Sequence, residues 1–492
     1  MPEKDAFVLD NLIPRDTSVD TRGGSSEFAT GVGGAVESLE VYAGGASAKM
    51  LAFGNGSVFN VSVAGAVGAA LQSGRTSNKI SSTMFSNAGN QYLLGVSGAD
   101  APFSYDGTTF ANLTITGLTG SQNTLHGIFT FKGRVYLAQQ GQLGFYYLAV
   151  GAIQGAASYF DLSQVAKKGG SLAGIAGFSA DSGNGPADYI VFMTTEGEYL
   201  VYGGTDPSNA ATFALVSRYY SSAPIGRKGW FNFRDDLYII SDEGIVSMTQ
   251  IRTSWESGVD TEYISAKLGK YISNLNMYSA THGWCAVVYP RGNLLLVNAP
   301  TTSATTGGYY QFVLNTTNTQ RNAWGRFTGW NALCWAVFNK RIYFGAADGR
   351  VMLADEGFVD DGADIQCDAR QAYNYFDDGR GSGAADKQFH FATFIVRTNG
   401  TPPVSAELNI NFEDVQPQYA GSLSGSSGTV WDVADWDAAD WGGEGITQNF
   451  TVPFGKIGYA ASIWLRASIS AGGIEWFATR VVFEKTNGIV LL

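Results

Sequence analysis

From Ala332 to Gly357 the chain reads ALCWAVFNKRIYFGAADGRVMLADEG, and two earlier stretches repeat its plan. These are GWFNFRDDLYIISDEGIVSM from Gly229 and GIFTFKGRVYLAQQGQLGFYYL from Gly127. Aligned on their turns, Phe131 to Tyr136, Phe233 to Tyr238 and Phe338 to Tyr343 all follow Phe-x-x-x-(Val/Leu/Ile)-Tyr. The middle residues are Gly, Asp, Asn, Lys and Arg, which suit a tight turn, and the flanks are β-branched and aromatic, so each copy predicts a β-hairpin. A second turn signal follows at Ala347–Gly349 and Asp242–Gly244, which extends the hairpin to a three-stranded meander.

Weaker relatives begin at Phe53, Phe85, Phe192 and Tyr289. The seven anchors at 53, 85, 131, 192, 233, 289 and 338 lie 32, 46, 61, 41, 56 and 49 residues apart. A period in the forties built from antiparallel strands is that of β-propeller blades, because one small sheet cannot cover both its faces and packing blades around an axis does. The expectation is a propeller-like domain over 46–361 with about seven blades, six and eight also being compatible. A β-sandwich with coincidental hairpins is the simpler alternative. No helical period of useful length competes, although Asp161–Gly169 has room for a turn or two.

After Asp361 the hairpin anchor disappears, and strands such as KQFHFATFIVRTNG alternate apolar and polar residues. This predicts a separate C-terminal β-sandwich over 362–492. Residues 1–45 are turn-rich and read as an N-terminal arm. The chain as a whole is expected to be all-β.

Composition agrees. The 492 residues are 45% hydrophobic but only 15% charged, with 63 Gly and 65 aromatic residues, as many short strands and tight turns require. A net charge of −12 argues against a protein that grips nucleic acid, because phosphate binding needs clustered Lys and Arg. It leaves room for one that DNA slides past. Cys285, Cys334 and Cys367 share no metal-binding or disulfide spacing and read as buried thiols in a reducing compartment. The opening MPEKDAFVLDNLIPRD has no apolar core of a secretory signal, and no run reaches the roughly 20 apolar residues of a membrane span.

The search for chemistry returns little. No phosphate-binding glycine loop or nucleophile elbow occurs. His126, His282 and His390 are scattered and read as separate, satisfied side chains. Ser104 to Phe110 resembles one sialidase-type Asp box but is one residue short and occurs once, so Asp106 and Gly107 read as a turn. No catalytic, cofactor or metal residue is assigned, and the chain is not expected to be an enzyme. In WDVADWDAADW the four aspartates do not follow a calcium loop, whereas Trp431, Trp436 and Trp441 recur every five residues. They are candidate interface residues, or else they anchor a long loop to its own domain.

DNLIPRDTSVDTRGG from Asp10, AWGRFTGW through FVDDG from Ala323 to Gly362, WDVADWDAADWGG and the closing IEWFATRVVFEKTNGIVLL together resemble one family. It is the tail hub, or nozzle, of short-tailed bacteriophages, also called the packaged-DNA stabilisation protein. The resemblance implies a structural virion protein assembled in the host cytoplasm. It further implies a homohexameric ring below the dodecameric portal adaptor protein, and a tail fibre or spike protein carried on its side. Such a ring closes the channel on packaged double-stranded DNA, without sequence-specific binding, until ejection. On this reading Trp431, Trp436 and Trp441 lie at or near a subunit or partner contact, and neither a cofactor nor a membrane anchor is implied. Two alternatives remain: a carbohydrate-binding propeller that recognises a receptor, and a propeller glycosidase.

Overall fold

The computed structural model describes residues 5–44, 48–181, 186–303, 308–317, 322–377, 385–421, 423–424 and 445–486. They form two compact units that alternate along the chain: residues 27–310 with 331–353, and residues 1–26 with 311–330 and 354–492.

The first unit is a β-propeller. Its inner strands are Val36–Tyr42, Ser81–Ser86, Leu125–Phe131, Leu172–Asp181, Trp230–Phe233, Cys285–Tyr289 and Cys334–Phe338, one for each of seven blades. Blades 1 to 4 are four-stranded antiparallel meanders, and blade 5 has three strands. The inner strands of blades 5, 6 and 7 run side by side, and that of blade 7 lies against that of blade 1, so the ring closes. In blade 7 the strand Ser25–Thr30, in this unit from residue 27 on, pairs with Val351–Ala354 and so clasps chain from opposite ends of the unit.

Apolar residues between neighbouring blades hold the ring. Met50 and Ala52 of blade 1 pack with Ala336 and Tyr343 of blade 7. Leu51 and Phe53 meet Leu93 and Phe103 of blade 2. Phe145 of blade 3 stacks on Phe192 of blade 4 at 4.2 Å and 6°. Each strand alternates its side chains between two neighbours, so both faces of a blade are apolar.

The repeated hairpins form as expected. Lys132–Gly133, Arg234–Asp235 and Asn339–Lys340 each join two strands with both turn residues at positive φ. That is the two-residue turn whose twist matches the strands. Two anchors were out of register: Phe53 and Phe192 sit on the second strand of their blades. The inner strands themselves end 44 to 56 residues apart, which removes the irregular 32 and 61. Residues 27–45 are no arm, since they supply the clasp strand and the first inner strand. Asp161–Gly169 contains no helix, whereas Met248–Ser257 forms one, capped by the Ser247 hydroxyl on the Gln250 N–H and ended by Gly258 at φ 67°.

The second unit is a two-sheet β-sandwich. One sheet orders Leu12–Pro14, Val19–Thr21, Ile474–Lys485, Lys387–Thr398 and Ile446–Gly458. In the other, Ala461–Ile469 lies between Ala363–Gln371 and Val404–Ile410, and Ala6–Asp10 joins on the far side of Ala363–Gln371. Phe389, Ala392, Phe394 and Val396 of the first sheet face Ile365, Ala369, Ala406, Leu408 and Leu465 of the second. The sandwich of this unit therefore takes its strands from both ends of the chain.

Candidate functional site

Two polar features stand out, one in each unit. In the sandwich unit, Arg22 is 1% exposed and all five of its N–H groups are used. Nε donates to Asn11 Oδ1 at 2.9 Å. Nη1 donates to the Gly23 carbonyl at 2.8 Å and to Asp360 Oδ1 at 2.9 Å. Nη2 donates to the Thr328 carbonyl at 2.8 Å and to Asp360 Oδ2 at 2.5 Å. The guanidinium lies 4.2 Å from the centre of the Trp330 ring, whose Nε1–H donates to Asp360 at 2.8 Å. Asn11, at φ 58°, gives its amide N–H groups to Thr328 Oγ1 and the Gln366 carbonyl. Close by, Arg326 pairs with Asp10 through Nε and Nη2 at 2.7 and 2.6 Å.

The glycines beside Arg22 make this approach possible. A Cβ at Gly24 would stand 2.0 Å from the Val359 carbonyl oxygen, and one at Gly23 would stand 2.7 Å from the Asp355 backbone. The Arg-Gly-Gly step is thus a close backbone crossing.

In the propeller, all seven inner strands or the residues just before them line a cavity of about 730 Å³. At the N-terminal ends of these strands stand Glu37, Lys79, His126, Ala173, Arg227, His282 and Leu333, one per blade. Deeper positions are mostly apolar, among them Ile128, Ile175, Trp230 and Val287. Lys228 Nζ bonds Glu40 Oε1 at 2.7 Å, and Ser82 Oγ donates to Glu40 Oε2 at 2.5 Å. Burial opposes the Lys228 charge, but Glu40 outweighs it and holds the ammonium pKa above the usual lysine value. Lys79 Nζ lies 3.9 Å from Glu37.

His126 and His282 therefore share a cavity, although the sequence reading kept them apart. The ring geometry brings equivalent strand ends to one axis, and spacing along the chain gives no sign of it. His282 Nε2 contacts the Glu37 carbonyl oxygen, and burial pushes its pKa down to about 4. His126 is lowered by burial and by Arg227, against backbone hydrogen bonds at Ala173 and Leu172 that raise it, and its Nδ1 is buried. His390 belongs to the sandwich unit.

The three cysteines are free. Burial pushes Cys285 up to about 11 and Cys367 up to about 12, and raises Cys334 further, which keeps all three as thiols near neutrality. Asp106 closes a turn, accepting from the Thr108 and Thr109 N–H groups at 2.9 and 2.7 Å, with Gly107 at φ 96°. Trp431, Trp436 and Trp441, with the aspartates between them, lie outside the described residues. Among the described residues no group of three or more His, Cys, Asp or Glu is placed to hold a metal ion.

A second, more open groove of about 810 Å³ is lined by Lys168, Glu196, Tyr220, Asp242, Glu243 and Tyr263, among others. Tyr220 packs on Trp255, which is 55% exposed, at 5.1 Å and 58°.

No known family model matches the chain, and no curated protein does. Among solved structures it is similar to the computationally designed Ika8 protein, at 10% identity over 67% of this chain and 99% of that one, with a TM-score of 0.37. It is also similar to BBS1N, solved in complex with ARL6DN, at 9% identity over 68% and 98%, with a TM-score of 0.43. For Chaetomium thermophilum Raptor the values are 12% over 67% and 29%, with a TM-score of 0.40. The propeller assignment rests on the sheet order and the seven-sided cavity described above.

Proposed function

We propose that the chain is a structural protein of a short-tailed bacteriophage, the tail hub or nozzle, and not an enzyme. One observation carries the reading. Every partner of Arg22 comes from the two segments that bear the resemblance to that family, Asp10–Gly24 and Ala323–Gly362, although the bonds span up to 338 residues. The motif residues thus serve to lock a sandwich unit, as a building block requires. In this role the protein forms a homohexameric ring that docks on the portal adaptor, carries a fibre or spike, and closes the channel on packaged DNA. The acidic balance keeps a DNA-facing surface non-adhesive.

Native mass spectrometry of the purified protein, with and without adaptor and alongside negative-stain images, tests this. A ring of six, or a monomer that becomes six on adding adaptor, supports it. A monomer or trimer indifferent to adaptor rejects it. Replacing Trp431, Trp436 and Trp441 together with Ala should weaken ring or tail assembly while leaving the propeller folded, and normal assembly would remove them from the interface.

The groove beside Tyr220 and Trp255 favours a second reading, a carbohydrate-binding propeller, since sugars stack on exposed aromatic rings next to carboxylates. Glycan-array binding lost on Trp255→Ala would favour it.

A further inference from the structure

The propeller cavity has a charge imbalance that the fold does not use. Its lining holds three permanent cations, Lys79, Arg227 and Lys228, against two carboxylates, Glu37 and Glu40. Lys228 and Lys79 face Glu40 and Glu37, as above. Arg227 has no carboxylate within 4 Å among the described residues. Its Nη1 donates to the Ser97 carbonyl at 2.5 Å, which leaves most of its fork unused. His126 belongs to the same collar, near enough for Arg227 to oppose its protonation. Below lie Ile128, Ile175, Trp230 and Trp284. The volume, about 730 Å³, falls within the roughly 300–1,000 Å³ of small-molecule sites.

We propose that this cavity binds a small apolar monocarboxylic acid. Arg227 holds the carboxylate, and the apolar body lies against Ile128, Ile175, Trp230 and Trp284. A single uncompensated guanidinium matches a monoanion, and its planar fork matches a carboxylate. A dianion such as phosphate would bring one charge too many into a largely apolar chamber.

The test is calorimetric titration of the full chain with benzoate, phenylacetate and hexanoate, with benzamide as the neutral counterpart of benzoate. At least one acid should bind and benzamide should not. Arg227→Gln should weaken the acid about tenfold or more, with Arg227→Lys intermediate. Ala173→Asp, which adds an internal carboxylate to the collar without touching Arg227's own bond, should weaken it as well, and this covers the case in which Arg227→Gln melts early. Failure of all three acids to bind the folded protein overturns the proposal. So does equal binding of benzamide, or unchanged affinity in Arg227→Gln and Ala173→Asp.

Discussion

Arg22 grips Asp360 with both Nη groups, at 2.9 and 2.5 Å, from a position 338 residues earlier in the chain. The pair joins the N-terminal segment of the sandwich unit to the segment after residue 354. A buried, fully bonded pair adds little against an apolar replacement, but losing one partner strands the other.

Arg22→Ala should therefore destabilise the protein by about 3–5 kcal/mol, because Asp360 and Asn11 would be left buried without their donor. Arg22→Lys should recover little, since three donors on a point charge cannot replace a five-donor fork stacked on Trp330. The check is a urea midpoint for each variant. A loss under about 1 kcal/mol in Arg22→Ala would show that the cluster is dispensable.

The hairpin turns offer a test of opposite sign. Lys340 holds φ 64° and Asp235 holds φ 62°, where a side chain is strained and glycine is not. Lys340→Gly and Asp235→Gly should each be neutral or raise stability by up to about 1 kcal/mol, despite glycine's greater freedom when unfolded. Gly133→Ala, at φ 73°, should cost about 1 kcal/mol although an added Cβ meets only Val150 at 3.6 Å. Thermal melting of the three variants decides it; stabilisation by Gly133→Ala would refute the turn assignment.

These turns were also the most legible part of the chain. A two-residue turn at positive φ accepts few residue types, so Lys-Gly, Arg-Asp and Asn-Lys between β-branched and aromatic flanks marked hairpins correctly. Position within a blade was less legible, because second strands are as apolar as inner ones, and Phe53 and Phe192 were placed a strand out. The Met248–Ser257 helix was hidden by its polar surface, with only Met248 and Ile251 buried, although Ser247 and Gly258 are ordinary start and stop signals. Arg22, Asn11 and Asp360 were all visible in motifs, but nothing local in a sequence announces a bond across 338 residues. The collar of Arg227, His126 and His282 was illegible for the same reason, since closure of the ring creates it.

His282 should make the protein less stable in mild acid. Its folded pKa is about 4 against an ordinary 6.5, so between these values the unfolded chain binds more protons than the folded one. Stability contributed by the neutral, buried ring is complete above pH 6.5 and is lost as pH falls towards 4, up to roughly 3 kcal/mol. His126, shifted the same way, adds to the slope. Melting temperatures of wild type and His282→Gln at neutral pH and near pH 5 should show a smaller drop in the variant. An equal drop would place the acid sensitivity elsewhere.

The Lys228–Glu40 pair is the last relationship open to direct measurement. Glu40 keeps 11% of its side-chain surface exposed while Lys228 keeps 34%, so the carboxylate has more to lose than the ammonium. Lys228→Met should cost about 1–3 kcal/mol by leaving Glu40 with the Ser82 hydroxyl alone, and Glu40→Leu should cost less, because the longer side chain can reach water in the cavity. The double variant removes both charges and should be more stable than the sum of the single losses implies, with a coupling of about 0.5–3 kcal/mol. Denaturation of the four proteins in one buffer measures this coupling. Additive losses would mean that solvent in the cavity already screens the pair, and that the two charges are held there for a reason other than stability.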